Sequence, residues 1–270
     1  MRLIGFIGLF CLAFGNAIAN SNIANSSIAN DCSISEAKAY LRQYQWLAED
    51  YPPYNYVDHE GNITGIFTDT LVMIYHELAI PFELRDIAIV PWARLYRTLE
   101  LDDSYAAFSM VNTPERLHKF KLVPLPVITK VSIIVLEERF DDLVSLPIDQ
   151  LHIAVVRDDI GQQMLDENEI RAKQVETTSA FSMLRMLVHG RVDAIAYAED
   201  VASFQYQKLA ITGGATRTLQ ILNDTSFTNY VFHLNTPECV ISLVESTIDK
   251  LEKQGKLKQV WRRYLPHTTR

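Results

Sequence analysis

The chain has 270 residues, 48% hydrophobic and 21% charged, an ordinary globular composition with material for one large domain or two modest ones. Its formal charge of −8 argues against a nucleic-acid partner, which would favour a basic face. The scattered histidines show no H-E-x-x-H or H-x-H spacing, the cysteines no C-x-x-C, and neither a G-x-S-x-G elbow nor a phosphate-binding G-x-x-x-x-G-K-S/T loop occurs, so no metal, cofactor or catalytic motif is indicated.

Residues 1–19 carry Arg2, an apolar run from Leu3 to Phe14 and the small-residue end Ala17-Ile18-Ala19, which together read as a secretory signal cleaved after Ala19. The run is too short to span a bilayer, and no later one approaches ~20 apolar residues. Cys11 lacks the small preceding residue of a lipid-attachment site, so a lipoprotein is not expected. Loss of Arg2 takes the mature charge to −9. Cys32 and Cys239 survive cleavage. In an oxidising compartment they either pair, closing a ring that stabilises by ~4 to 5 kcal/mol in the chain-entropy model, or stay as two thiols. Residues 20–32, in a stretch where Ile-Ala-Asn recurs at Ile18, Ile23 and Ile28, read as a disordered spacer, with the folded part starting near Ser33.

From there strand and helix signals alternate, the pattern of an α/β fold. Gln45 to Ala48 is a short strand before a Pro-rich loop. Leu71, Ile74, Tyr75 and Leu78 have amphipathic helical spacing within Thr70 to Leu78. Phe82 to Leu84 reads as the next strand, and Trp92, Leu95 and Leu99 mark a second helix. The apolar run Ala106 to Val111 is a strand stopped by Asn112-Thr113-Pro114, because proline lacks a donor and biases its predecessor away from helix. Arg116 then falls at the edge of a sheet, where open α/β folds bind ligands. Its rigid, always-charged fork suits a carboxylate; the alternative is a surface arginine paired with Glu115 or Asp102. Val131 to Leu136 reads as a buried strand. Ile153 to Val156 is another, and Asp158-Asp159 precede a helix starting near Gly161. A helix through Phe181, Leu184 and Val188 ends at the C-cap signal His189-Gly190, and Val192 to Tyr197 follows as a strand. Gly213-Gly214 reads as a turn rather than a phosphate cradle.

Around Arg116 the chain resembles the family 3 extracellular solute-binding proteins, which deliver amino acids and related small solutes to ATP-binding-cassette importers. In that family a strand ending in serines leads to a T-x-x-R or T-P-E-R turn whose arginine holds the ligand's α-carboxylate. Thr113, Pro114, Glu115 and Arg116 match the turn, Ser109 falls on the first serine, and Val111 replaces the second. The resemblance covers nearly the whole mature chain. Glu49-Asp50-Tyr51-Pro52-Pro53-Tyr54 is similar to the opening strand-to-loop segment with its ligand-covering aromatic. Gly65-Ile66-Phe67-Thr68-Asp69 resembles the entry to the first helix, and Pro91-Trp92-Ala93-Arg94 a helix start of the group. Gly190-Arg191-Val192-Asp193-Ala194 matches the G-R-x-D-A turn of the second lobe, and Leu251 to Tyr264 the closing helix-turn-helix.

The resemblance implies a two-lobed periplasmic-binding-protein fold of class II type, with two hinge crossings and a central cleft. Lobe 1 takes 33–131 and 233–270, and lobe 2 takes 132–232, with the return to lobe 1 near Asn229 to Leu234. Both chain ends then belong to one lobe, which allows a Cys32–Cys239 bond. It further implies a periplasmic monomer without a cofactor, capturing a small polar solute for the permease of an importer. Arg116 is the expected carboxylate anchor. Ser109 is either a hydroxyl contact beside it or a buried serine bonded to its own backbone. Val111 stands next in the strand. Tyr54, with Tyr56 nearby, either stacks over a ligand or packs the lobe, and Trp92 either lines the cleft mouth or belongs to the core.

The second lobe departs from the pattern. Asp158, Asp159 and Ile160 stand where Gly-Ser/Thr-Thr usually donates to the carboxylate, and Ala198 stands where an aspartate receives the α-ammonium. Two acidic side chains repel an anion and favour a cation, while Tyr197 and Glu199, followed by Asp200, flank the second position. The bland alternatives are Asp159 as a helix N-cap and Glu199 as a solvated charge. These departures point to a ligand with a carboxylate for Arg116 and an amine or guanidinium for Asp158 or Asp159, or to a cleft that has drifted. Two other readings stay open: a periplasmic enzyme resembling cyclohexadienyl dehydratase, with Asp159 or Glu199 as general acid or base, and a sensory partner that presents closed lobes to a membrane receptor.

Overall fold

The structure is a computed structural model that describes residues 32–208 and 216–265. The expected signal segment, the spacer through residue 31 and Gly213-Gly214 lie outside the described residues.

Helix α1 (Ile34–Gln43) opens on a capping box: the Ser33 hydroxyl accepts from the Glu36 amide, and the Glu36 carboxylate accepts from the Ser33 amide at 2.7 Å. Strand β1 (Gln45–Ala48) runs into the Pro-rich loop and the small hairpin of β2 (Tyr56–Val57) and β3 (Ile63–Thr64). Helix α2 (Ile66–Glu77) starts four residues before the periodicity suggests. Gly65 sets that start, because it has φ +127° and an added Cβ would lie 2.4 Å from the Tyr54 carbonyl oxygen. The strand expected at Phe82 to Leu84 is not formed. Leu84–Asp86 is a single 3-10 turn with Leu84 exposed, and the strand that pairs with β1 is β4 (Ile87–Ile89). Ile87 supplies the buried side chain that Leu84 does not.

Next come α3 (Trp92–Leu101), β5 (Tyr105–Val111), α4 (Pro114–Lys119) and β6 (Phe120–Leu136). They are followed by α5 (Phe140–Leu143), β7 (His152–Val156), α6 (Ile160–Glu167) and β8 (Lys173–Thr177). Helix α7 (Ala180–Val188), β9 (Ala194–Ala198), α8 (Glu199–Lys208), β10 (Thr216–His233), α9 (Glu238–Lys253) and α10 (Lys256–Tyr264) complete the chain. The described residues build an eight-stranded sheet in the order β4-β1-β5-β10-β6-β9-β7-β8. Its ends are parallel, β4-β1-β5 and β9-β7-β8, and the long antiparallel ribbon of β6 and β10 joins them. The strand expected at Val131 to Leu136 is the end of β6, and the return segment Asn229 to Leu234 is the end of β10. Pro124, Pro126 and the interspersed lysines mask the rest of β6 from a periodicity reading, since proline signals a break.

The ribbon is irregular at its middle. Ile128 opposes Phe227 but Leu125 opposes Thr228, so Pro126 and Val127 bulge, and a second shift separates the Asn223 and Ser226 pairings. At the far side α6 packs close to β9: a Cβ on Gly161 would lie 1.9 Å from the Ala196 carbonyl oxygen.

A disulfide joins Cys32, just before α1, to Cys239 in the first turn of α9, with the Cα atoms 5.7 Å apart across 207 residues. A ring of that size is worth about 5 kcal/mol in the chain-entropy model. Reduction, or Cys239→Ser, should therefore lower the melting temperature measured by calorimetry. An unchanged melting temperature on reduction would show that the bond does not constrain the unfolded chain. Gly161→Ala should cost about 3 kcal/mol in urea unfolding, because backbone must move to admit the methyl group.

Candidate functional site

The turn after β5 folds as the sequence dictates. Thr113 caps α4, its hydroxyl accepting from the Arg116 amide at 3.2 Å, and Pro114 sits in the first turn where no amide donor is needed. This fixes Arg116 at the third position of a short helix with its side chain turned back against β5. Arg116 Nη1 donates to the Val111 carbonyl oxygen at 2.9 Å. The side chain is 1% exposed, so it is no surface arginine, and Glu115 pairs instead with Lys119 at 2.7 Å. The guanidinium lies over the Trp92 ring at 4.8 Å, and its Nη2 is 3.9 Å from Asp159 Oδ1. Arg116 Nε and Nη2 have no hydrogen-bond partner among the described residues. They are the two donors on one edge of the guanidinium, the edge that grips a carboxylate bidentately.

Trp92 is both core and cleft. It packs with Leu95 and Leu99, yet its Nε1 donates to the Asp158 carbonyl oxygen at 2.9 Å. Asp158 contributes that carbonyl from a left-handed backbone, φ +58°, while its own side chain is exposed. Asp159 is a helix cap set against Arg116: it accepts from the Ile160 amide at 2.6 Å, is buried, and leaves Oδ2 without a partner among the described residues. Ser109 is the extra residue of a bulge in β5, with φ +68°, between the Phe108–Tyr230 and Met110–Asn229 pairings. Its hydroxyl donates to the Asn55 side-chain oxygen, so neither its own backbone nor Arg116 engages it.

Tyr54 is fully buried. It stacks on Tyr51 at 5.6 Å, donates its hydroxyl to Asp200, and lies 3.2 Å from the Thr129 hydroxyl. Tyr197 packs edge-on against Tyr51 at 5.8 Å. Tyr56 stands apart, against Phe204. Glu199 is held away from Arg116 by Ser132 at 2.6 Å, Thr218 at 2.5 Å and Lys130 at 3.1 Å, which keep its carboxyl below the ordinary range despite burial.

Two residues of the cluster, Glu49 and Tyr51, are not among the ligand contacts expected from sequence. Both follow β1 at its carboxyl end, which is the one signal that marked them. Burial pushes the Glu49 carboxyl well up, and the nearby Asp159 adds to the effect. Burial also raises Asp159, and the Arg116 charge does not cancel it. Arg116 itself is lowered by burial. The Tyr51 and Tyr197 hydroxyls are raised well above the ordinary phenol by burial, and Tyr51 has no hydrogen-bond partner among the described residues. A cavity of about 560 Å³ opens beside this cluster, with Glu49, Asp50, Ile89, Trp92, Phe181 and Gln205 in its wall. No lysine, arginine or histidine stands in that wall among the described residues. The arrangement offers one carboxylate-binding edge and, beside it, an acidic chamber with aromatic sides.

Among curated proteins no match was found. The solved structure of an amino acid ABC transporter substrate-binding protein from Streptococcus pneumoniae, bound to L-arginine, is similar with 20% identity and a TM-score of 0.70, covering 88% of this chain and 100% of that one. An ancestral amino-acid-binding protein, described as a precursor of cyclohexadienyl dehydratase, is similar with 19% identity and a TM-score of 0.70 over 86% of this chain and 99% of that one. A histidine kinase sensor domain with similarity to periplasmic binding proteins shares 16% identity and a TM-score of 0.70 over 83% and 97%. At such identities the likeness establishes the fold, a two-lobed α/β binding protein. A profile of the bacterial extracellular solute-binding proteins, family 3, matches residues 46–267, and the chain belongs to that family.

Proposed function

We propose that the protein is exported and captures a small solute bearing both a carboxylate and a cationic group, for delivery to a membrane importer. The carrying observation is the buried Arg116, whose Nε and Nη2 donors share one edge that has no hydrogen-bond partner among the described residues. Glu49 and Asp50 in the adjoining chamber, with Trp92 and Phe181 beside them, suit the cationic end. The family and the amino-acid-binding neighbours support this reading. Lobe 1, residues 33–131 and 233–270, would close on lobe 2, residues 132–232, about the irregular middle of the β6–β10 ribbon. Across that division run the Arg116–Asp159 pair, the Trp92–Asp158 hydrogen bond and the Tyr54–Asp200 contact.

A second reading has one observation in its favour. Glu49 and Asp159, with raised pKa values in a cleft, are what a general acid requires, and a neighbour is described as the precursor of a dehydratase. Product formation from prephenate or arogenate would establish it, and recovery of both unchanged would exclude that chemistry. Likeness to a sensor domain supports presentation to a membrane receptor instead of a permease, which a pull-down with either membrane partner distinguishes.

Thermal unfolding of residues 20–270 against amino acids, polyamines, dicarboxylates and short peptides tests the main reading. A ligand at 100 times its Kd stabilises by ~2.7 kcal/mol. Solutes carrying both charges should give the shift, and Arg116→Ala should abolish it. A polyamine that stabilises Arg116→Ala as well as the wild type would overturn the carboxylate anchor.

The raised carboxyls also set a pH dependence. Glu49 binds its proton more tightly in the folded protein, so its contribution to stability is present below the unfolded value of about 4 and is lost as pH rises through the folded value. Glu49→Gln cannot ionise, and its melting temperature should gain on the wild type as pH rises from 4 to 8. Parallel curves would show that Glu49 is not perturbed.

A further inference from the structure

A second cavity, of about 350 Å³, shares no wall residue with the chamber beside Glu49. Its volume is in the range of small-molecule sites, roughly 300–1,000 Å³. The floor is apolar and comes from the bulge at Pro126 and Val127 in β6, from Trp261 in α10, and from Leu265. The wall also carries Lys130, Glu199, Asp200, Lys258 and Arg262.

The polar groups of this cavity divide unequally. Glu199 accepts from Ser132 and Thr218 and pairs with Lys130 at 3.1 Å. Asp200 accepts from the Tyr54 hydroxyl and from the Val201 amide at 2.9 Å. Both anions are therefore engaged, and so is one of the three cations. The remaining groups are all donors. Trp261 Nε1 is a buried atom with no hydrogen-bond partner among the described residues, and Trp261 itself stands in the cavity wall. Lys258 and Arg262, one helical turn apart on α10, are exposed and make no ion pair among the described residues. An unpartnered indole N–H on a wall residue of a partly apolar cavity, with two cations that make no ion pair among the described residues, is complementary to an anion on an apolar body.

We propose that this cavity is a second binding site, distinct from the Arg116 cleft, for a small monocarboxylate with an apolar body, the carboxylate taken by Lys258, Arg262 and the Trp261 N–H. Lys or Arg alone on a helix would bind such an anion weakly. The apolar floor supplies the remaining affinity, and the indole N–H gives the carboxylate a fixed point.

Isothermal titration with octanoate and indole-3-acetate tests the assignment, with octanamide and indole-3-acetamide as uncharged counterparts. The carboxylates should bind wild type and Arg116→Ala alike, and the amides at least tenfold more weakly. The double variant Lys258→Ala with Arg262→Ala changes only exposed side chains and should weaken the carboxylates at least tenfold; Trp261→Phe, which keeps the ring and removes the donor, should weaken them severalfold. Loss of binding in Arg116→Ala would place the probes in the main cleft and overturn the proposal. Equal affinity for acid and amide, indifference to the double variant, or no heat of binding at millimolar probe would overturn it as well.

Discussion

A guanidinium cannot shed its charge to escape burial, so a fold that takes Arg116 out of water must surround it with partners. This structure supplies three. The Val111 carbonyl comes from β5, the Trp92 face from α3, and the Asp159 carboxylate from the start of α6 on the other side of the ribbon. No one of them suffices. At 4 Å an ion pair is worth on the order of 4 kcal/mol at the effective dielectric of a protein surface, while each buried ion forfeits several kcal/mol of hydration. The opposed directions of the two groups record the outcome: Arg116 is lowered and Asp159 raised, both chiefly by burial. Desolvation outweighs attraction on both sides. The site is therefore held together by the sheet and helices around it, and its charge pattern favours any group that restores hydrogen bonds to Nε and Nη2.

The same balance decides what that group brings with it. Glu49 and Asp159 face one arginine, so a bound carboxylate adds a third acid to the neighbourhood of a single cation. An anion without a counter-charge would raise Glu49 further and lose affinity by doing so. A ligand that also carries a cation relieves Glu49 while it satisfies Arg116. The aromatic walls of Trp92 and Phe181 are compatible with such a cation, whereas an anionic tail finds no basic side chain there among the described residues.

The part of this legible in sequence is the part that local chemistry controls. Thr113-Pro114-Glu115-Arg116 specifies a capped helix start wherever it occurs, and Arg116 lies where that turn puts it. Asp159 before α6 reads equally well as a cap, and the structure sets the same side chain against Arg116, a double role that pattern alone leaves undecided. Glu49 belongs in sequence to the opening strand-to-loop segment, but its raised pKa comes from burial beside Asp159 and Arg116, more than sixty residues away, and no local periodicity encodes that meeting. Phe82 to Leu84 shows the opposite failure, an apolar run without a sheet partner: β1 pairs with Ile87–Ile89, and register is set by the whole sheet. Glu199 stands one residue beyond the family position that Ala198 occupies, and reads from sequence either as a ligand contact after a shift in register or as a solvated charge. In the structure Ser132 and Thr218, from strands on either side in sequence, donate to it, which is a meeting that local pattern does not encode.

Closure of the cleft follows from where the cross-links lie. A ligand shifts an open–closed equilibrium only by its differential affinity for the two states. Trp92 to Asp158, Tyr54 to Asp200 and Gln205 to the Asp50 carbonyl are contacts the chain makes with itself across the proposed division, and they set the baseline to which ligand adds. Tyr54 has a special place among them. Its hydroxyl meets Thr129, which is 2.6 Å from Thr228 across the ribbon, so one side chain touches Tyr51, the middle of the ribbon and the first turn of α8 at once. A change in the cleft that moves Tyr54 must therefore be felt at Asp200, and Asp200 also stands in the wall of the second cavity. The two cavities share no wall residue, yet one buried phenol bonds Asp200 in the wall of the second and stacks on Tyr51, which stands in sequence between Asp50 and Pro52 in the wall of the first. Linkage requires that any coupling through it act equally in both directions.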